Sequence, residues 1–177
     1  MPISRVDETH FAPYDDVPSR LLALASGALR EILIDIYGFT FAPLMDVLIA
    51  KHLAGVLVRC VCDYSQAQGN AEKVQLQRLV DAGIDVLITE SIHGAIDHSK
   101  YIVVDRQIVG FGSFNFSASA EKQDNTFSVR NDADLIDWFV QNWVRVHDDG
   151  FGKHPEWQIH ATADHASGDY GTAVAPA

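Results

Sequence analysis

The residues best suited to chemistry lie in one short stretch of the chain, DHSKYIVVDRQIVGFGSFNFSASAEKQDN at positions 97–125. His98 and Lys100 are two residues apart in it, and an extended strand places such a pair on the same face. An imidazole beside an ammonium group, with no carboxylate expected on that face, suits an anionic substrate. The Lys100 ammonium would neutralise phosphate charge and favour a neutral imidazole, so His98 is the candidate nucleophile.

Further polar groups follow in the same stretch at regular spacing. Asp105 lies five residues after Lys100 and by the same alternation faces the other way, so we expect it to be structural and to anchor a turn. Ser113 and Asn115 are again two residues apart, and they offer hydroxyl and amide donors for phosphate oxygens. Gly112 lets the backbone approach a ligand closely. These three residues and Lys100 therefore predict a phosphate-binding site.

The apolar pattern predicts the elements that hold this stretch in place. A helix whose apolar positions run from Leu21 to Ile32, with Ser19 as N-cap, leads into the buried strand ILIDIYGF. Helices and strands then alternate to residue 90, which is typical of an α/β architecture with parallel strands. KYIVVD and IVGFGS are separated by two residues and predict a hairpin, followed by a strand and a helix beginning near Asp132.

The chain divides into three predicted segments. Residues 1–16 are polar and turn-rich, residues 17–149 form the folded domain, and residues 150–177 have the small, polar composition of a flexible tail. The formal net charge is −11, of which only −4 belongs to residues 17–147. A mildly acidic core allows a local basic groove, but it would not bind nucleic acid by charge alone.

The sequence lacks several patterns that would indicate a membrane location, secretion or a bound metal. We find neither a membrane-spanning apolar stretch nor a signal peptide, so we expect a cytoplasmic location without stable membrane association. Cys60 and Cys62 are poorly placed to bridge each other and are expected to be buried and reduced. No metal or cofactor is predicted, because no zinc-like spacing includes His93.

HSKYIVVD and GSFNFS together match an H-x-K-x4-D and G-S-x-N signature, and in this the chain resembles the phospholipase D superfamily. The likeness extends over roughly residues 17–148 and is greatest to the small single-motif bacterial phospholipase D-like endonucleases. The resemblance implies an α/β fold with a mixed, largely parallel sheet flanked by helices. It also implies a metal-independent phosphodiesterase in which His98 forms a phosphohistidine while Lys100, Ser113 and Asn115 hold the phosphate oxygens.

The single copy of the motif has a consequence for assembly. Two-step displacement needs a second histidine on the far side of phosphorus, and one strand cannot supply both. The resemblance implies that a second copy of the chain contributes it. We therefore expect a homodimer with one active site shared across the two-fold axis.

One position departs from the pattern of the superfamily. Many members place a Glu before an Asn shortly after G-S-x-N, and this acid orients a catalytic His. Here Asp124 stands before Asn125, with a side chain one methylene shorter. Glu121 is the alternative if a helix from Ser117 is shifted.

Three functions remain open on the sequence. A nuclease is favoured by the small size and the single motif, while a phospholipase would want an apolar or basic amphipathic surface. A catalytically silent binding module would not require the full set of polar groups. Phe114 and Phe116 are expected in the core, with a base-stacking or lipid-facing entrance as the alternative. Trp138 and Trp143 are expected in the core or at a dimer interface.

Overall fold

A computed structural model describes residues 5–159 of the chain. It contains one seven-stranded sheet with the strand order β1-β7-β6-β5-β2-β3-β4. The strands are β1 (Asp7–Ala12), β2 (Glu31–Ile36), β3 (Leu57–Asp63), β4 (Asp85–Thr89), β5 (Lys100–Val104), β6 (Ile108–Gly112) and β7 (Asn125–Arg130). The helices are α1 (Val17–Ser26), α2 (Ala42–Leu53), α3 (Tyr64–Ala67), α4 (Asn70–Asp81) and α5 (Ala133–Gly150), with 3-10 turns at Ala120–Lys122 and Pro155–Trp157.

The sheet is mixed and flanked by helices, as the sequence predicts. Strands β2, β3 and β4 are parallel neighbours, but the other four pairs are antiparallel, so the expectation of a largely parallel sheet is wrong. Strand β5 pairs antiparallel with β2, then β6 and β7 follow it antiparallel, and the N-terminal strand β1 adds antiparallel to β7. Helices α1, α2 and α4 cover one face of the sheet and α5 covers the other.

The central strand β2 explains why this fold forms. Its sequence EILIDI is buried along almost its whole length, because Ile32, Ile34 and Ile36 face α1 and α2 while Leu33 faces α5. Trp143 of α5 packs on that second face and its indole Nε1 donates to the Ile34 carbonyl oxygen at 2.8 Å.

Several side chains test the expectations about the core. Cys60 and Cys62 are both buried and free, as predicted. Phe114 and Phe116 are also buried, so the core assignment is confirmed for them and the entrance alternative is wrong. The Trp138 side chain is 66% exposed and does not belong to the core.

The N-terminal part of the fold differs from the sequence-based boundaries. Residues 7–12, assigned to a turn-rich segment, form β1 at the edge of the sheet, paired antiparallel with β7. Their weak apolar alternation reflects an edge strand with one exposed face. Helix α1 ends at Ser26 and is capped by Asp16, whose carboxylate accepts from the Ser19 N–H at 3.0 Å. Leu29 is 80% exposed in the connection to β2 and is not part of the helix.

The beginning of the predicted tail also packs onto the fold. The Trp157 ring stacks on Tyr64 with centroids 3.7 Å apart. The Gln158 side-chain amide pairs with the backbone of Ile88 at the edge strand β4, at 3.0 Å and 2.9 Å. Residues 160–177 of the predicted tail lie outside the described residues. Between residues 5 and 159, no helix combines the length and the apolar character needed to cross a membrane.

Candidate active site

The two basic groups of the site lie at the start of β5. Lys100 is the first residue of that strand and lies opposite Ile36, the last residue of β2. His98 precedes the strand and is exposed, whereas Lys100 is only 6% exposed. The Lys100 ammonium donates to the His98 carbonyl oxygen at 2.8 Å. The pair therefore combines an accessible imidazole with a buried cation that is held by the backbone of His98.

Tyr37, directly after β2, connects these two side chains. Its ring meets the His98 imidazole edge-on, with centroids 4.6 Å apart and planes at 66°. The Lys100 Nζ lies 4.8 Å from the centroid of the same ring, a cation–π contact. The Tyr37 hydroxyl in turn accepts from Gln66 Nε2 at 2.9 Å. A single aromatic ring thus supports both the candidate nucleophile and the candidate phosphate-binding cation.

Burial changes the acid–base properties of Lys100. It lowers the pKa of the ammonium, and the nearby carboxylates of Asp97, Asp35 and Asp63 act in the opposite direction. These carboxylates keep a cation stable in a largely buried position, where an isolated charge would be strongly disfavoured. A partly desolvated ammonium attracts a phosphate oxygen more strongly than an exposed one, because water screens it less.

Asn115 and Gly112 lie at the same end of the sheet. Strand β6 ends at Gly112 beside the start of β5, and Asn115 follows three residues later against Gly38. The Asn115 Oδ1 atom is buried and makes no hydrogen bond within the described residues. Gly112 has φ 158° and packs so closely on the Thr126 carbonyl that a Cβ there would clash. The close approach expected of Gly112 is thus made to β7 in this structure.

The Ser113 hydroxyl is committed to neighbouring groups. It donates to Asn125 Oδ1 at 3.0 Å and accepts from the Thr126 N–H at the same distance. Asn125 Nδ2 also donates to the Ala120 carbonyl oxygen at 3.1 Å. Ser113 would have to exchange its bond to Asn125 in order to donate to a phosphate oxygen. The sequence reasoning gave no role to Asn125, which here holds the Ser113 hydroxyl.

The two candidate orienting acids, Asp124 and Glu121, are both exposed. Glu121 belongs to the 3-10 turn at residues 120–122, and no regular helix begins at Ser117. Neither carboxylate makes a side-chain hydrogen bond in the part of the chain that the structure describes. The assignment of either acid to a catalytic histidine stays a prediction.

Comparison with known proteins gives this arrangement a family. The family model described as "Cardiolipin synthase, PLD-like domain" matches residues 21–145. The chain belongs to the phospholipase D superfamily.

The superfamily relatives carry different names. The chain is 34% identical to Phospholipase D of Rickettsia felis over 120 residues, which are 66% of this chain and 57% of that protein. It is 30% identical to Mitochondrial cardiolipin hydrolase of Chlamydomonas reinhardtii over 131 residues, 73% of this chain and 57% of that protein. The chain thus spans less than two thirds of the length of these curated relatives.

Solved structures show the same fold. Nuc from Salmonella typhimurium, a phospholipase D family member, matches with a TM-score of 0.77 and 26% identity, covering 83% of this chain and 97% of Nuc. NucT from Helicobacter pylori matches with a TM-score of 0.71 at 19% identity, which supports the fold alone.

This superfamily member also surrounds Lys100 with buried acids that sequence reasoning missed. Asp97, Asp63 and Asp35 are all buried, so the expectation that no carboxylate neighbours the basic pair is wrong. The Asp97 N–H donates to Asp63 Oδ2 at 2.8 Å, which fixes the residue directly before His98. A signal was present in the sequence, because an Asp inside the apolar run of β2 and an Asp at the end of the buried β3 both require a partner.

Asp105 of the signature lies at the opposite end of β5, as its spacing predicts. Its carboxylate accepts from the backbone N–H groups of Leu29, Arg30 and Glu31 at 2.7–2.9 Å. It adopts φ 55°, a left-handed conformation that Asp tolerates better than most residues. Asp105 therefore anchors the hairpin turn to the start of β2.

Proposed function

We propose that the chain is a metal-independent phosphodiesterase, acting as a non-specific endonuclease on DNA, RNA or both. One observation supports this above the others: the exposed His98 imidazole and the buried Lys100 ammonium share the Tyr37 ring. Asn115 lies against Gly38, the next residue along. The candidate nucleophile, the candidate cation and an amide therefore lie beside the consecutive residues Tyr37 and Gly38, which suits attack on a phosphodiester.

The first chemical step uses His98 as nucleophile. A nitrogen of its neutral imidazole attacks phosphorus, and the bond from phosphorus to the leaving oxygen breaks. Lys100 and Asn115 stabilise the charge on the non-bridging oxygens as the trigonal-bipyramidal arrangement forms. The leaving oxygen takes a proton from a second imidazolium, and the product is a phosphohistidine at His98.

The second step returns the enzyme to its starting state. The second imidazole, now neutral, removes a proton from water, the water oxygen bonds to phosphorus, and the phosphorus–nitrogen bond to His98 breaks. The chain has one H-x-K, so the second imidazole is His98 of a second copy in a homodimer that shares one site. Two chemically identical histidines then hold different protonation states during the cycle.

The nuclease assignment is favoured by size and by the single motif. The structural likeness covers 97% of Nuc, whereas the alignment with the Rickettsia felis protein covers 57% of that protein. The domain matches nearly the whole of Nuc but little more than half of the Rickettsia felis protein, and this favours the small endonucleases. Because the chain has a net charge of −11, binding would depend on few cationic contacts, and activity should fall steeply with added salt.

A phospholipid is the second candidate substrate. The curated relatives are named phospholipase D and mitochondrial cardiolipin hydrolase. The loop that leads to His98 also exposes two large apolar side chains, Ile92 at 67% and Ile96 at 48%. Such side chains beside the nucleophile would suit insertion between lipid headgroups.

Cleavage in excess EDTA at low salt tests the proposal. Single-stranded DNA, plasmid and a short RNA are incubated with wild type and His98→Asn, and phosphatidylcholine and cardiolipin hydrolysis is measured on the same preparations. We expect cleavage of nucleic acid by wild type only, with a loss of at least about 1,000-fold in His98→Asn. The exposed position of His98 means that the variant should keep its fold.

The alternative results separate the candidates. Lipid hydrolysis without nucleic-acid cleavage would replace the nuclease by the phospholipase. Activity that EDTA removes would contradict the metal-independent mechanism. A His98→Asn variant with a near-native rate would exclude His98 as nucleophile.

The shared site is tested with heterodimers of wild type and His98→Asn. Sedimentation should give twice the 19.5 kDa of the chain. Because each dimer has one site made of two His98 side chains, a heterodimer of wild type and His98→Asn should be as inactive as the variant. Half-maximal activity in purified heterodimers, or an active monomer, would require a second histidine from the same chain, for which only His93 is near in sequence.

A further inference from the structure

The segment from Tyr37 to Phe41 contacts both halves of the candidate site. On one side, the Tyr37 N–H donates to the carbonyl oxygen of Ser99, which lies between His98 and Lys100, at 2.8 Å. On the other side, the N–H groups of residues 40 and 41 both donate at 2.9 Å to the carbonyl oxygen of residue 116, next to Asn115. The placement of this 37–41 segment therefore fixes the distance between the basic pair and the amide.

A buried carboxylate holds the centre of the 37–41 segment. Glu72, in the first turn of α4, is 3% exposed, and its Oε2 accepts from the Phe39 N–H at 2.8 Å. Its Oε1 is buried as well and has no hydrogen-bond partner among the described residues. The Phe39 amide lies between Gly38, which touches Asn115, and the two amides that bind residue 116.

Burying a glutamate at position 72 costs the desolvation of its carboxylate. Burial raises the pKa of Glu72 to about 7, the Phe39 N–H opposes this, and the charge of Asp63 adds to it. A packed apolar side chain would avoid the desolvation of a carboxylate, but it would leave the Phe39 N–H without this acceptor. A charge-assisted hydrogen bond to a backbone amide is shorter and stronger than a neutral one. Glu72 therefore contributes a hydrogen bond that holds the 37–41 segment in place, which an apolar side chain packed at the same position could not do.

We propose that Glu72 is a positioning residue of the active site. By holding the Phe39 amide, it keeps Tyr37 against His98 and Lys100, and Gly38 against Asn115. The proposal rests on the proposed phosphodiester chemistry at His98. Glu72 itself touches no reacting group and acts through the 37–41 segment.

Other ionisable groups near α4 have to be separated from Glu72 in any titration. Two of these groups lie on β3. The charge of Asp63 raises the pKa of Glu72, and the charge of Glu72 raises the pKa of Cys62. The remaining ionisable side chains on elements packed against α4 are Asp46, Lys51 and His52 on α2, Tyr64 on α3 and Asp85 on β4.

Hydrolysis of bis(4-nitrophenyl) phosphate provides the kinetic test, because it does not depend on whether the natural substrate is nucleic acid or lipid. Glu72→Leu removes the acceptor and should lower kcat by about 10- to 100-fold with KM changed less than about threefold. Glu72→Gln keeps an acceptor for the Phe39 N–H and should stay within about threefold of wild type. Glu31→Gln, at the far end of the sheet, is the matched control and should leave both constants unchanged.

Nuclear magnetic resonance supplies a readout that needs no turnover. In wild type, the Phe39 amide should titrate with a midpoint near pH 7, and the Asn115 side-chain amide should shift with the same midpoint. Glu72→Gln should abolish this shared transition. The measurement applies equally if Glu72→Leu fails to fold.

The possible results separate this proposal from the function. A folded Glu72→Leu with wild-type kcat would overturn it, and so would a Phe39 titration without any response of the Asn115 side-chain amide. If wild type hydrolyses neither this phosphodiester nor the natural candidates, the proposed function fails. The titration would still show whether Glu72 controls the placement of the 37–41 segment.

Discussion

The carboxyl groups near the two ends of β5 differ in their hydrogen bonding. At the hairpin end, Asp105 accepts three backbone hydrogen bonds, and no oxygen of its side chain is left without a partner. At the other end, neither oxygen of Asp35 makes a hydrogen bond of ordinary geometry within residues 5–159, and Asp97 Oδ2 is also without one. Asp97, Tyr101 and Ser99 nevertheless lie close enough to Asp35 to influence its pKa.

This difference separates groups that stabilise the fold from groups that serve the site. A carboxylate with every hydrogen bond made contributes to stability and has nothing left to offer a ligand. Buried acids without such bonds destabilise the protein, and here they lie around the Lys100 ammonium. Substitutions at the hairpin end should therefore change stability, and those at the basic end should change activity.

The largest effect is expected from removing the buried cation. Lys100→Met should lower kcat by about 100- to 1,000-fold, because it removes the charge opposite the non-bridging oxygens. Steady-state kinetics on bis(4-nitrophenyl) phosphate would measure this, with Lys73→Met on the exposed face of α4 as the control for loss of one positive charge. A folded Lys100→Met with a rate close to wild type would show that the cation has no part in catalysis.

The next effect concerns stability at the hairpin end. Asp105→Ala leaves three backbone N–H groups without their acceptor and should lower the free energy of unfolding by about 2–3 kcal/mol. Asp105→Asn keeps one acceptor oxygen and tolerates the left-handed backbone, so its loss should be smaller. Urea unfolding measures both variants. If kcat per folded molecule fell as strongly as stability, the separation between the two ends would be wrong.

Much of this division could be predicted from sequence. Residue spacing predicted the hairpin, a turn-anchoring role for Asp105 and a shared face for His98 and Lys100, because these depend on local alternation. Tyr37 and Glu72 could not be found in this way. Their roles depend on which element lies beside β5, and the contacts of Tyr37 with His98 cross about 60 residues of chain.

The fold shows the same limit. The alternation of helices and strands predicted α/β layers, but the pairing direction depends on where β5 and β7 re-enter the sheet and on which strand β1 pairs with. An edge strand such as β1 has too weak a pattern to be distinguished from a turn-rich segment. Strong local patterns were therefore sufficient for the centre of the sheet and insufficient for its edge.

Asp35 permits a pH test of the basic end. Burial, and then the charge of Asp97, raises the pKa of Asp35 well above its ordinary value. At pH values between the ordinary pKa of Asp and the raised pKa of folded Asp35, this side chain is deprotonated in the unfolded chain and protonated in the folded protein. Stability due to Asp35 is thus present at low pH and falls as pH rises, by at most about 1.4 kcal/mol per pH unit.

Asp35→Asn removes this dependence. The free energy of unfolding of the variant relative to wild type should therefore increase as pH rises from about 4 towards 7. Urea unfolding at several pH values measures the difference, and the contribution of Glu72 cancels because both proteins retain it. Asp137→Asn, on the exposed face of α5, is the control for the loss of one carboxylate. A constant difference for Asp35→Asn would mean that Asp35 is ionised in the folded protein.

The smallest effect should come from a single methyl group placed between the two halves of the site. A Cβ at Gly38 would lie 3.2 Å from Asn115 Cγ and 3.3 Å from its Oδ1, so the amide must move by a few tenths of an ångström. Gly38→Ala should lower kcat by about 3- to 10-fold and change the free energy of unfolding by less than about 1 kcal/mol. Gly27→Ala is the matched control, since its Cβ would make only ordinary contacts at 3.4 Å. An unchanged kcat in Gly38→Ala would mean that the rate does not depend on the placement of the Asn115 amide, and it would weaken the role given to the 37–41 segment.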